Sequence, residues 1–400
     1  MSCKIPFSPP DITEAEVEAV CAVLHSGWIT TGLKTREFEQ GIAAFCGNGY
    51  AACLNSATAG LELTLRLLGI GPGDEVITSA YTYTASASPI VHVGAKPVLV
   101  DTAKDSFQMD YEAIFAAITP RTKAIIPVDV GGILCDYDKV YAAVEAGKHL
   151  FCPSSALQEQ LGRVAVVADA AHSFGAVRGG KRAGRFGDFT VFSFHAVKNL
   201  TTGEGGAVTW RDDLGLDGEE IYRQYMLMSL HGQSKDAMAK MRLGAWEYDI
   251  VAPLYKCNMT DVAAAIGVSQ LNRYGQMLEK RYELVRLYNE LLSGNGVCPA
   301  QHLWDDECSS CHLYLTRVEG YSMQQRNGLI EAMAKDGIAT NVHYKPLPLL
   351  TAYRSLGLRG EDYPNAMAQF ENEITLPLYS TLTAEDVHTV CRSMLAHLER

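Results

Sequence analysis

The sequence contains no hydrophobic run of the roughly 18 residues that a membrane-spanning helix requires. It also lacks a basic tract, since 34 lysines and arginines face 46 aspartates and glutamates and the formal net charge is −12. Nucleic acid and anionic membranes are therefore not expected partners. The N-terminal segment has no apolar signal core, and a cytoplasmic location is expected.

Repeats, low-complexity tracts and a second C-x-x-C pair are absent as well. The 11 cysteines are odd in number and several stand in apolar contexts, which favours reduced thiols over a disulfide framework. Cys308 and Cys311 form the one closely spaced pair. These two cysteines could be ordinary loop thiols, one half of a zinc site, or a redox-active pair. Because no further ligand pair is present, we favour loop thiols and predict no metal site.

What is present indicates a compact α/β protein. The chain has 400 residues, 48% of them hydrophobic and 20% charged, which suits a large core and two domains. Short apolar runs alternate with helical patterns over the first ~250 residues, as in a mainly parallel sheet with helices on both faces. The predicted strands are Tyr50–Leu54, Glu75–Thr78, Lys96–Val100, Lys123–Val128, Val164–Ala168, Phe189–Phe194 and Ala207–Trp210.

The C-terminal part has a different texture. A long helix is predicted from Thr260, a suitable N-cap, towards Gly294. A strand-like segment and two helical segments follow, which predicts a small α+β domain. We therefore expect a large domain over residues 1–280 and a small one over 281–400.

Several segments suggest a ligand site at the strand ends. The stretch from Asn55 to Leu61 predicts a helix N-terminus, which binds anions or is simply capped. Asp169 ends an apolar run, where a carboxylate either holds a protonated pyridine nitrogen or caps a helix. Tyr83 follows another strand and either stacks on a flat ring or packs in the core.

The most informative segment runs from Ser193 to Gly206. Lys198 stands between an apolar strand and a glycine cluster, where the backbone can turn sharply. Such a lysine is suited to forming a Schiff base with a carbonyl compound, although an exposed loop lysine is the ordinary alternative. In combination with the segments above, it favours a pyridoxal phosphate site.

The sequence resembles the DegT/DnrJ/EryC1/StrS family of sugar aminotransferases, whose fold is that of fold type I pyridoxal phosphate enzymes such as aspartate aminotransferase. The resemblance covers nearly the whole chain. The strings that carry it are Ser26-Gly-Trp-Ile-Thr-Thr-Gly32, Phe38-Glu39, Ser56-Ala-Thr-Ala-Gly-Leu61, Gly71-Pro-Gly-Asp-Glu-Val76, Asp169-Ala-Ala-His172, Ser193-Phe-His-Ala-Val-Lys198, Asn258-Met-Thr-Asp261, Ala264-Ala-Ile-Gly267, His343-Tyr-Lys-Pro-Leu347 and Leu376-Pro-Leu378.

The resemblance implies a role for each matching residue. Lys198 would bind pyridoxal 5′-phosphate covalently and move the proton, and Asp169 would pair with the pyridine nitrogen. Tyr83 would stack on the ring, and Ala57 N–H, Thr58 and Ser193 would bind the phosphate. His172 would lie near the ring O3′. Asn258 would contact the phosphate of the neighbouring subunit, and His343 would lie at the substrate cleft.

The resemblance also implies the reaction and the partners. An amino acid, usually glutamate in this family, would donate its amino group to the keto group of a nucleotide-linked sugar. We favour a 4-keto over a 3-keto group. The role of Asn258 implies a homodimer with shared active sites.

Two segments depart from the family pattern. Asp129 stands where relatives commonly have histidine, and we expect its charge to alter the cleft. Residues 145–162 are longer than usual, and a surface excursion is favoured over a part in the cleft or the dimer surface.

Three other functions were weighed. In related sugar dehydratases histidine replaces the lysine, and the presence of Lys198 speaks against that reaction. A cofactor-binding regulator without turnover is disfavoured by the complete set of lysine, aspartate and tyrosine. A cysteine desulfurase would need a reactive cysteine on a mobile loop, for which Cys308 and Cys311 are the candidates.

Overall fold

One large sheet and two small ones organise the chain. The computed structural model describes residues 3–234 and 247–398. In chain order the strands are β1 (Ala51–Leu54), β2 (Glu75–Ser79), β3 (Lys96–Val100), β4 (Thr122–Ile126), β5 (Ala165–Asp169), β6 (Val177–Arg178), β7 (Lys181–Arg182), β8 (Phe189–Ser193), β9 (Gly206–Trp210), β10 (Val297–Pro299), β11 (Glu307–Cys308), β12 (Tyr314–Val318) and β13 (Glu373–Leu376). The seven predicted strands are confirmed, with ends that differ by one or two residues.

The helices begin at polar caps in many cases. Asp110, Asp136 and Thr260, for example, each accept a backbone N–H of the first turn, which satisfies a donor that has no partner inside the helix. The helices are α1 (Glu14–Ser26), α2 (Leu33–Cys46), α3 (Ala57–Leu67), α4 (Ser88–His92), α5 (Tyr111–Ala117), α6 (Tyr137–Ala146), α7 (Ala156–Leu161), α8 (Gly218–Ser229), α9 (Asp261–Leu292), α10 (Met323–Lys335), α11 (Thr351–Arg354), α12 (Pro364–Asn372) and α13 (Ala384–His397).

The large sheet has the strand order β1-β9-β8-β5-β4-β2-β3. Its strands are parallel except β9, which runs antiparallel to both β1 and β8. Residues 194–205 join β8 to β9 without a helix, and a connection without a crossover returns the chain in the opposite direction. The predicted mainly parallel sheet is thus confirmed, with one reversed strand that follows directly on the lysine loop.

Helices cover both faces of this sheet. On one face, Phe38 of α2, Val140 of α6 and Tyr274 of α9 are buried in one hydrophobic cluster. On the other, Leu61 of α3 and Tyr225 of α8 are buried in a second. Because both faces are buried, most residues of the strands between them are apolar.

The C-terminal residues form a smaller α+β arrangement. Strands β10, β12 and β13 make an antiparallel sheet in the order β10-β12-β13, and α13 packs against α9 and α10. Helix α9 runs unbroken through the predicted boundary at residues 280 and 281, so the division into two domains stays a prediction. No helix among the described residues is long and apolar enough to cross a membrane.

Candidate active site

A cleft of about 400 Å³ lies at the carboxyl ends of the parallel strands, between the large sheet and the C-terminal part. This is where an open α/β sheet places its ligands. Eight of the nine predicted site residues line it, namely Ala57, Thr58, Tyr83, Asp169, His172, Ser193, Lys198 and His343. The ninth, Asn258, does not.

Lys198 is held by the turn that follows β8. Phe194 N–H donates to Gly205 O at 2.8 Å, and Lys198 N–H donates to His195 O at 2.9 Å, so the loop folds back on itself. The lysine side chain is half-buried in the cleft. Burial lowers its pKa to about 8, and the charge of Asp169 opposes that shift in part. A larger share of this amine is therefore neutral and nucleophilic near pH 7 than in an exposed lysine.

Asp169 is the last residue of β5 and its side chain is buried. Ser86 Oγ donates to its Oδ2 at 2.6 Å, and Ala171 N–H donates to its Oδ1 at 3.2 Å. Burial raises its pKa, while these donors and the Lys198 charge act in the opposite direction. A cationic partner in the cleft would offset the cost of burying this carboxylate.

The N-terminus of α3 faces the same cleft. Ser56 accepts Ala59 N–H at 3.1 Å, whereas the N–H groups of Ala57 and Thr58 have no acceptor among the described residues. A Cβ at Gly206, the first residue of β9, would lie 2.4 Å from Ala57 N. Only glycine therefore allows β9 to approach the start of α3 this closely, and any larger residue would displace the two N–H donors.

Ser193 and Tyr83 complete this half of the cleft. Ser193 ends β8 and is half-buried, and its Oγ lies 3.4 Å from His195 N. Tyr83 follows β2, and its side chain is 60% exposed at the mouth of the cleft. Its ring lies 6.0 Å from that of Tyr344, centroid to centroid. An exposed ring next to a cleft can cover a planar ligand, which a ring packed in the core could not do.

His172 is buried on the other side of the cleft. Gly131 N–H donates to its Nδ1 at 3.1 Å, and its Nε2 lies 3.0 Å from Tyr344 Oη. Burial and the charges of Lys198 and His343 hold its pKa well below the usual range, so the ring is neutral.

His343 is fixed by β13. Its N–H donates to Glu373 Oε2 at 2.8 Å, and its Nδ1 lies 2.9 Å from Thr375 Oγ1. Burial, together with the Lys198 charge, lowers its pKa to about 3. It enters the cleft as a neutral ring.

Sequence reasoning missed several side chains that line the cleft, among them Ser86, His312 and Tyr344. Tyr344 follows His343 in a string already quoted for the family resemblance, so its position could have been found there. Ser86 lies three residues after Tyr83, and the spacing of a 3₁₀ turn was the available signal. His312 carries no local pattern, since only the packing of the C-terminal part brings it beside His172.

Asn258 lies outside the cleft. Its Nδ2 donates to Thr31 Oγ1 and its Oδ1 accepts from Lys256 Nζ. Thr31 Oγ1 in turn donates to Met259 O at 2.6 Å. Asn258 therefore belongs to a surface formed with residues 27–33.

Asp129 does not line the cleft, and the expected effect of its charge stays a prediction. Its carboxyl group turns away from the cleft, where it accepts from Ser173 Oγ at 2.6 Å, Cys135 N at 2.9 Å and Tyr137 Oη at 3.0 Å. Burial raises its pKa to about 6. The chain has already left β4 at Ile126, so strand alternation no longer decides which way the side chain points.

The long segment 145–162 also lies away from the cleft. It forms α7, and the buried Gln158 donates to Leu68 O at 2.8 Å, at the end of α3. Lys123, near the start of β4, donates to Cys152 O. The segment thus covers the opposite edge of the sheet.

Cys308 and Cys311 are free thiols, and burial raises the pKa of Cys311 to about 12. A buried thiol with a raised pKa is a poor nucleophile, which disfavours the desulfurase alternative.

The donor set of the cleft fits pyridoxal phosphate. An anion would meet the N–H groups of Ala57 and Thr58 at one end, and a protonated ring nitrogen would meet the buried Asp169 at another. Lys198 lines the same cleft with a lowered pKa, as an amine that reacts with an aldehyde requires.

Comparisons with known proteins agree with this chemistry. The model of the DegT/DnrJ/EryC1/StrS aminotransferase family matches residues 10–395. The spore coat polysaccharide biosynthesis protein SpsC of Bacillus subtilis is 37% identical over 394 residues, which are 98% of this chain and 96% of SpsC.

Solved structures are similar over almost the whole chain. Spr1654 of Streptococcus pneumoniae, provisionally named a sugar aminotransferase, is 52% identical in its PMP form, with a TM-score of 0.96 and coverage of 98% of this chain and 99% of that one. Its PLP form is 51% identical with a TM-score of 0.95, covering 98% of both chains. PseC of Helicobacter pylori, an aminotransferase involved in the biosynthesis of pseudoaminic acid, is 27% identical with a TM-score of 0.86, covering 98% of both chains.

Proposed function

The chain belongs to the DegT/DnrJ/EryC1/StrS aminotransferase family and is a pyridoxal-phosphate-dependent sugar aminotransferase, and from this premise we propose its reaction and the residues that perform it. The amino group comes from L-glutamate and is transferred to the 4-keto group of a nucleotide-activated sugar. The observation that carries the proposal is the lowered pKa of Lys198 in one cleft with the buried carboxyl group of Asp169.

Lys198 is the catalytic residue of this proposal. When bound, pyridoxal phosphate supplies an aldehyde that condenses with amines and a ring that withdraws electrons from the attached carbon. Lys198 Nζ would hold the cofactor, and as a free amine it would take up and return the proton of the substrate carbon. A pKa of about 8 suits both directions, because proton transfer is most efficient when the pKa lies near the working pH.

The other predicted residues orient the cofactor. Asp169, held by Ser86 and Ala171, keeps the ring nitrogen protonated through its charge. Ala57, Thr58 and Ser193 bind the phosphate group, and Tyr83 covers the ring from the mouth of the cleft. His172 would lie near the ring edge as a neutral group.

We further propose that two chains share each site through Asn258. Its side chain lies outside this chain's own cleft and donates to Thr31, which stands between the exposed residues Ile29 and Leu33. A second copy on that surface would bury these apolar groups and bring Asn258 towards the partner's phosphate. The cytoplasmic location expected from the sequence stays a prediction.

The experiment combines the purified protein, L-glutamate and a panel of UDP-, dTDP- and GDP-linked 4-keto and 3-keto hexoses. The proposal expects 2-oxoglutarate and an amino sugar in equal amounts, with a 4-keto substrate preferred. Lys198→Ala should abolish both products, whereas the exposed control Lys104→Ala should keep them. Release of water without amine formation would indicate a dehydratase, and binding without any product would indicate a regulator.

A further inference from the structure

The hydrogen bonds of His172 determine where its proton resides. A backbone N–H can only donate, so the bond from Gly131 N to Nδ1 at 3.1 Å requires a lone pair on Nδ1. The ring is neutral because burial holds its pKa well below the usual range. Its one N–H is therefore at Nε2, and that group donates to Tyr344 Oη at 3.0 Å.

The backbone around Gly131 is closely packed. Gly132 has a φ of +92°, and a Cβ there would lie 2.1 Å from Ser310 Oγ. Ser310 Oγ donates to His172 O, which fixes the backbone of the histidine as well. The tautomer of His172 is thus determined by a backbone donor, Gly131 N–H.

Tyr344 consequently offers a proton to the cleft. Its oxygen already accepts from His172, and the hydroxyl hydrogen has no acceptor among residues 3–234 and 247–398. Burial raises the pKa of this phenol, so the hydrogen stays in place at neutral pH. Tyr344 lines the cleft together with Lys198 and Asp169.

His312 offers the opposite function. Asn199 Nδ2 donates to Ser310 O at 2.7 Å, which turns Asn199 Oδ1 towards His312 Nδ1 at 2.9 Å. His312 Nδ1 must then carry the hydrogen, and burial keeps the ring neutral by lowering its pKa. The Nε2 atom of His312 is then an acceptor. It has no hydrogen-bond partner among the described residues, and it is not one of the fully buried polar atoms that lack a partner.

Both groups lie against the same histidine. The His312 ring is 4.4 Å from the His172 ring, and the Tyr344 ring is 6.0 Å from it, between centroids. A hydroxyl group both accepts and donates hydrogen bonds, and it would satisfy the two together. A carboxylate only accepts, and it would leave His312 Nε2 without a partner.

We propose that Tyr344 Oη and His312 Nε2 form a donor–acceptor pair that binds a hydroxyl group of the sugar substrate. This inference rests on the proposed function, because it assigns the pair to the sugar half of the reaction. The amino-acid donor has only carboxylates besides its amine. It can accept from Tyr344 Oη but cannot donate to His312 Nε2, so it uses at most half of the pair.

The test measures the two half-reactions separately in the cofactor-loaded protein. Tyr344→Phe keeps the ring and removes the hydroxyl, and we expect about a tenfold fall in kcat/KM for the keto sugar, as for one lost hydrogen bond to a buried group. The half-reaction with L-glutamate, followed by the cofactor's absorbance, should lose less than the sugar half-reaction does, because a carboxylate can use only one of the two groups. His312→Asn should show the same contrast. Tyr288→Phe removes a hydroxyl that donates to Pro377 O at 2.8 Å, away from the cleft, and serves as the control.

The outcomes separate the two proposals. Equal losses in both half-reactions would mean that the pair acts on the cofactor or on Lys198, and would overturn it. Unchanged sugar kinetics in both variants would overturn it as well. If the unmodified protein aminates none of the keto sugars, the proposed function fails and the pair fails with it.

Discussion

The lowered pKa of Lys198 leads to a quantitative prediction about how the cofactor attaches. Only the neutral amine reacts with an aldehyde, so the attachment rate follows the unprotonated fraction of Nζ. With a pKa of about 8, about one tenth of this amine is neutral at pH 7. An ordinary lysine near 10.5 would be neutral to about 0.03%, so burial raises the reactive fraction roughly 300-fold.

Stopped-flow absorbance measures this rate when cofactor-free protein is mixed with pyridoxal phosphate between pH 6 and pH 10. The same reaction with Nα-acetyl-lysine, run in parallel, cancels the ionisation of the cofactor itself. The rate with the protein divided by the rate with Nα-acetyl-lysine should be highest below pH 8 and should decline above it. The reason is that Lys198 has already lost its proton there, while the neutral fraction of the solution amine still rises.

Asp169→Asn provides the structural perturbation. The charge of Asp169 raises the pKa of Lys198, so its removal should shift the midpoint to lower pH. A midpoint near 10.5 in the unmodified protein would refute the reasoning, since burial would then have no effect on the amine. A shift to higher pH in the variant would show that the two groups do not interact as described.

Three further predictions concern the groups around the site. Asp261→Ala removes the acceptor of Thr35 N–H at 2.9 Å and of Thr35 Oγ1 at 2.7 Å. Urea titration should therefore show a loss of about 3 kcal/mol in the free energy of unfolding, and a loss below about 1 kcal/mol would contradict this. Gly206→Ala places a Cβ 2.4 Å from Ala57 N, so equilibrium dialysis should show at least about tenfold weaker cofactor binding. Undiminished binding would argue against phosphate binding by the N–H groups of Ala57 and Thr58. Asp129 has a pKa raised from 3.8 to about 6, so the native state holds this proton more tightly and stability should fall as pH rises from about 4 to 6. Asp129→Asn should lack that part of the pH dependence in denaturation curves, and an unchanged slope would refute it.

The sequence predicted the strands well because each is buried on both faces. The run Lys123–Val128 was expected and Thr122–Ile126 is observed, since an apolar run marks a strand but not the residue at which pairing stops. The reversed direction of β9 was not predicted, because periodicity carries no information on strand direction. The only sequence signal for the reversed direction of β9 is the short connection between Lys198 and this strand.

The cleft could be predicted in part for a similar reason. Asp169 and Lys198 follow apolar strands, and the carboxyl ends of neighbouring parallel strands meet at one edge. His312 could not be found this way, since its place beside His172 depends on packing between segments far apart in the chain. The partners of Asp129 could not be predicted, because the direction of a side chain in a turn depends on local hydrogen bonds and not on a period.

The most direct test of the central claim is to locate the covalent attachment. The protein loaded with pyridoxal phosphate is reduced with borohydride and digested, and the modified peptide is identified by mass spectrometry. We predict the label on Lys198 alone, with its loss in Lys198→Ala and its retention in Lys104→Ala. A label on another lysine, or a fully labelled Lys198→Ala protein, would contradict the account.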